Sequence, residues 1–156
     1  MSVIYLLVKW IHIISSTLLF GTGFGIAFFM WRAHRSGSAA LVAGTARSVV
    51  IADACFTAPA VVIQLLTGLW LAHRLGLAFS TFWLKAALML FVLVGACWLP
   101  VVWLQMRARD LALASVASDT LLSRDYYRVM RWWFWLGWPA FFGVLAIFWL
   151  MVSKPL

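Results

Sequence analysis

His12 lies in the run KWIHIISS and Lys85 in STFWLKAALML, both inside apolar stretches long enough to cross a bilayer. An ionisable side chain at membrane depth costs about 2.5 to 3.5 kcal/mol on insertion scales, so it has either a bonded partner or a task. For His12 the structural option is hydrogen bonding to a Ser, Thr or Gln of a neighbouring helix. For Lys85, as for Lys9, it is snorkelling to the headgroups. A second set of residues, Asp53, Thr57, Gln64, Thr67 and Gly68, falls within roughly 60° of a common direction at 100° per residue. Such a polar stripe faces other helices, because lipid offers no hydrogen-bond partner. It serves either as interhelical glue or as a proton or substrate path, and Asp53 lies where Arg47, Arg107 or a loop amide could pair with it.

The elements that must position these groups are membrane spans. Of the 156 residues, 66% are hydrophobic and 10% charged, and mean hydropathy is +1.03, far from a soluble domain. A span needs about 20 apolar residues, and four segments qualify, at 4–30, 49–72, 79–105 and 132–152. They predict an all-α integral membrane four-helix bundle, a single transmembrane domain over 1–156. The first span lacks a basic lead and its apolar core is too long for a signal peptide, so it is expected to be retained. Gly21 and Gly25 form a G-x-x-x-G pair that allows a close helix neighbour. GTGFG has no preceding strand and is not a phosphate loop. Ser118 or Asp119 is the expected cap of the fourth helix, which begins before its apolar run, and Pro139 predicts a kink. Cys55 and Cys97 sit in apolar runs without a C-x-x-C or His neighbour, which points to packing.

Orientation follows from basic residues between the spans. Arg32, Arg35, Arg47, Arg107, Arg109, Arg124, Arg128 and Arg131 flank one end of the bundle, against Arg74 and Lys154 at the other. The positive-inside rule puts the first set in the cytoplasm and both termini outside, in a bacterial inner membrane. Trp10, Trp70, Trp83 and Trp149 then form an outer belt, and Trp31, Trp103, Trp132, Trp133 and Trp135 an inner one. The net charge of +8 is explained by this topology, so no nucleic-acid partner is implied. His34, among the inner arginines, reads as a solvated loop residue.

The full chain, through segments such as KWIHIISSTLLFGTGFGIAFF, FTAPAVVIQLLTG and LPVVWLQMRARDLA, resembles an uncharacterised bacterial family of predicted four-helix integral membrane proteins. More distantly, K-x-x-H-I over Lys9 to Ile13 is similar to the first helix of HemJ-type protoporphyrinogen oxidases and CopD-like membrane proteins, and Phe82 to Lys85 loosely echoes the entry to the HemJ-type third helix. That resemblance implies haem b bound by His12 and Lys85; by position His73, at the outer end of the second span, is an alternative second ligand, and Ser15 or Ser16 could orient the ring by hydrogen bonding. The resemblance also implies an electron-transfer or oxidoreductase role with a quinone or porphyrin as partner. The HemJ-type Tyr-His at the end of the third helix is absent here. Two further readings stand beside it: a non-catalytic membrane subunit or scaffold with a protein partner, suggested by the absence of Glu and of catalytic pairs, and a small transporter or proton path along Asp53, Thr57 and Gln64.

The topology is tested by cysteine labelling. A cysteine placed at Gly37 should resist an impermeant thiol reagent in intact cells and react after permeabilisation; reaction in intact cells reverses the orientation.

Overall fold

Three serines start three of the four helices, each through a side-chain oxygen that accepts from the N–H three residues on: Ser2 from Tyr5 (3.3 Å), Ser38 from Leu41 (3.3 Å) and Ser123 from Tyr126 (3.2 Å). In the computed structural model, which describes residues 2–154, the elements are α1 (Val3–Ser36), α2 (Ala39–Arg74), α3 (Phe82–Ala117) and α4 (Arg124–Ser153). All four are long and apolar enough to cross a membrane, and among the described residues there is no strand.

The helices outrun the apolar segments that announce them. Residues 31–48 read as an arginine-rich loop, yet only Gly37 and Ser38 separate α1 from α2. Gly37 takes φ 68°, the left-handed conformation that ends a helix, and its N–H reaches the His34 carbonyl at 3.3 Å. Likewise α3 runs twelve residues past the expected end at 105, and α4 starts eight before 132. Hydropathy marks where lipid ends, whereas Arg, Ala and Leu are strong helix formers on either side of that boundary. At about 1.5 Å per residue, α3 is about 54 Å long and must project beyond a core of about 30 Å. The expected cap is also displaced. Ser118 and Asp119 close α3, with Asp119 at φ 51°, and Ser123 opens α4.

α2 is not a uniform helix. Pro59 has no N–H, and its ring crowds the carbonyl four residues earlier. Over Asp53–Thr57 the chain widens into a π-turn, and Ala58 donates to Asp53, five residues back. Before this turn α2 packs on α3 and α1; after it, α2 packs chiefly on α1. α3 and α4 form the most extensive pair, and both helices continue through their prolines, Pro100 and Pro139.

The apolar core lies at the arginine-rich end, where Met30, Val42, Ala46, Leu104, Ala108 and Tyr126 are buried together. Elsewhere the large side chains point outward, as with Leu66, Val92 and Phe82, a surface suited to lipid and not to water. Trp133 leaves the expected inner belt and is buried. Close helix approach is also not where G-x-x-x-G placed it, since a Cβ on Gly21 or Gly25 would meet nothing within 4 Å. A Cβ on Gly143 would lie 2.5 Å from Cγ2 of Val94 across the α3–α4 contact. Val94 is β-branched and has little freedom to swing away.

Gly143→Leu should therefore cost about 1 to 3 kcal/mol by overpacking, read as a lower melting temperature in detergent, while Gly21→Ala leaves it unchanged. Equal effects would place the tight approach elsewhere.

Candidate functional site

Two layers of polar residues cross the bundle, and they differ in how completely their hydrogen bonds are made. The first joins α1 to the second half of α2. Gln64 Nε2 lies 3.1 Å from His12 Nε2, and His12 Nδ1 lies 2.8 Å from Thr67 Oγ1. Ser15 donates to Gln64 Oε1, and Thr67 donates to the Ile63 carbonyl at 2.6 Å. A consistent assignment has the Gln64 amide donating to Nε2, so the proton of a neutral imidazole sits on Nδ1 and is given to Thr67. The ring rests against Gly68, where a Cβ would stand 3.0 Å from His12 Cε1. Small size at Gly68 is what lets the imidazole lie against the α2 backbone.

Haem iron needs a bare imidazole nitrogen in an apolar slot. Both nitrogens of His12 are engaged, and the ring is pressed on a helix and not set in a slot. Lys85 and His73 are exposed and neither joins the layer. Ser16 donates to the Ile13 carbonyl at 2.7 Å, so it does not orient the ring. These residues, as arranged, do not fit a haem. Lys9 is exposed as well, in keeping with snorkelling.

The second layer lies at the π-turn. Asp53, Thr57 and Gln105 are 4%, 5% and 2% exposed, and the side chains of Thr57, Trp98 and Gln105 surround the Asp53 carboxyl. Asp53 Oδ2, Thr57 Oγ1, Trp98 Nε1 and Gln105 Oε1 are all buried without a hydrogen-bond partner, as is Trp133 Nε1 on α4. Asp53 does not pair with Arg47 or Arg107, which are both exposed. Among the described residues the ion pairs are Arg109–Asp110 at 2.8 Å and Arg128–Asp125 at 3.6 Å, both outside this layer.

The stripe expected along one face of α2 is thus divided. A π-turn inserts an extra residue, which displaces the periodicity after it by about 100°. The Asp53 carboxyl, with Thr57 beside it, meets Trp98 and Gln105 of α3, whereas Gln64, Thr67 and Gly68 meet His12 of α1. Trp98 and Gln105, seven residues apart on α3, were not expected at the site; two polar-capable side chains at that spacing in an apolar span are the available signal.

His34 is also reassigned. It belongs to α1, half-buried, with Nδ1 3.2 Å from the hydroxyl of the fully buried Tyr126.

The family described as "Predicted integral membrane protein (DUF2269)" matches residues 6–155. The chain belongs to this family. With four spans in the structure, it is a multi-pass integral membrane protein of a lipid bilayer. No curated protein and no solved structure matches it significantly.

Gln64→Leu removes the donor to His12 and the acceptor for Ser15, so it should cost about 1 to 2 kcal/mol of stability, the range of model interhelical hydrogen bonds in membranes. Val62→Leu, on an outward face, should change little. Thermal unfolding in detergent measures both.

Proposed function

We propose that the chain binds and releases a proton at Asp53 within the bundle, as part of a proton path or a proton-coupled transporter. The observation that carries this reading is the second polar layer: a buried carboxyl without a basic partner, beside groups whose hydrogen bonds are unfilled. Intramembrane carboxyls in such settings mark ion or proton pathways, and buried unsatisfied groups call for a functional explanation.

The donor and acceptor chemistry suits a proton. Asp53 Oδ2 and Gln105 Oε1 are acceptors without donors. One proton on the carboxyl would supply the missing O–H for Gln105 Oε1, and a small approach of the side chains would let Trp98 Nε1–H and the Thr57 hydroxyl, which have no partners in this arrangement, donate to the remaining lone pairs. On release of the proton, half a turn of the Gln105 amide presents its NH2 to the carboxylate instead. The same four side chains therefore complete either state. The contrast with the His12 layer is informative, since that layer is saturated and supports a tie between α1 and α2. In this reading the arginine-rich end faces the cytoplasm of a bacterial inner membrane.

The experiment is infrared difference spectroscopy on protein in vesicles, paired with proton flux read by an entrapped pH dye. The chain has four acidic residues, and Asp110, Asp119 and Asp125 are exposed, so a buried protonated-carboxyl band is readily assigned. The band should titrate with pH and vanish in Asp53→Asn, and proton flux should fall at least tenfold in that variant. An unchanged band, or flux in Asp53→Asn equal to wild type, overturns the proposal.

A further inference from the structure

The α1–α4 side of the bundle carries a second feature, apart from Asp53. Near mid-bundle, Phe20 meets Phe141 and Phe148 with ring centroids 5.7 Å apart in each case, and Phe24 meets Phe141 at 6.3 Å. Large rings hold the two helices apart. From Phe24 toward the arginine-rich end, the helices leave an open surface groove of about 570 Å³ along Phe24, Ala27, Phe28, Trp31, Phe134 and Trp138, ending at His34 and Arg35, most of these side chains being exposed. On the other flank of α1, a smaller cavity of about 260 Å³ is lined by Arg32, Arg35, Leu41 and Thr45 among others. Arg35 borders both.

Charge at this end is one-sided. No acidic residue lines either cavity, and the two ion pairs among the described residues use Arg109 and Arg128, not Arg32 or Arg35. The apolar groove thus leads to guanidinium groups that no carboxylate of the described residues neutralises. An acyl chain fits the aromatic walls, and a phosphate fits the guanidinium donors, which match it in a fork geometry. Basic pockets between membrane helices bind anionic lipid headgroups in this way.

We propose that this groove is a specific site for an anionic phospholipid, with one acyl chain between α1 and α4 and the phosphate on Arg35, within the field of Arg32. His34, tied to Tyr126 through Nδ1, keeps Nε2 for a headgroup or glycerol oxygen. The lipid then fills a gap that the protein's own side chains leave open, and joins α1 to α4 where helix contact is sparse.

Native mass spectrometry of the detergent-solubilised protein, titrated with phosphatidylglycerol and with phosphatidylcholine of the same chains, tests the site. Phosphatidylglycerol should be retained over phosphatidylcholine. Arg35→Gln, an exposed position that does not threaten the fold, should weaken retention about fivefold, the worth of one basic residue near an anionic headgroup. Ala27→Trp should block the groove and remove retention with both arginines present, monodisperse elution confirming the fold. Arg47→Gln, an exposed arginine lining neither cavity, should have no effect. Equal retention of the two lipids, equal loss in Arg47→Gln and Arg35→Gln, or full retention in a folded Ala27→Trp overturns the site. None of these readouts depends on Asp53, so the proton proposal and this one fail separately.

Discussion

The N–H that Pro59 lacks shapes the second helix and, through it, the interior of the bundle. In hydrocarbon no water completes a backbone hydrogen bond, so a helix must absorb a missing donor by its own geometry or through its neighbours. Here the preceding turn widens, with Ala58 donating to Asp53 five residues back. The widened turn changes the phase of the side chains that follow, so one helix serves two neighbours. The Asp53 carboxyl is brought to Trp98 and Gln105 of α3, and Gln64, Thr67 and Gly68 to His12 of α1. A regular α2 would have lined all five along one contact.

That division produces two polar layers of opposite character. In the His12 layer each ring nitrogen has a partner, and the Gln64 amide is engaged at both ends. A saturated network of this kind fixes the register of two helices. In the Asp53 layer four polar atoms are left over, one on the carboxyl itself and one each on Thr57, Trp98 and Gln105. Bundles of apolar helices tolerate such a deficit where its completion by a proton, ion or water is part of what the protein does.

The bundle is also uneven along its length. Small and medium side chains, Ala33, Val42, Ala43, Ala46, Ala108 and Ala112, close the arginine-rich end around Met30, Tyr126 and Met130. Helix approach there is set by alanines, while between α1 and α4 it is held off by phenylalanine rings. One side of the bundle is therefore tightly built, and the other leaves an open groove along α1 and α4.

Hydropathy alone determined the class: four apolar segments, an all-helical chain and a membrane setting, because the apolar length needed to span a bilayer is a property of local composition. The ionisable residues worth following, His12 and Asp53, were also legible, since each lies at membrane depth inside an apolar run. Helix ends were legible only in part: the fourth helix was expected to begin before its apolar run, but a helix of Arg, Ala and Leu does not stop where lipid stops, so residues 31–48 and 106–117 read as loops when most of them extend the spans. Nor was it legible which groups meet. A wheel drawn at 100° per residue assumes unbroken periodicity, and the π-turn breaks it at Asp53–Thr57. Only the tertiary structure decided that His12 spends both nitrogens on Gln64 and Thr67, that Lys85 and His73 face away, and that Trp98 and Gln105 come to Asp53. Such pairings are settled by how helices lean and rotate against one another, a property of the packed whole that no single segment encodes.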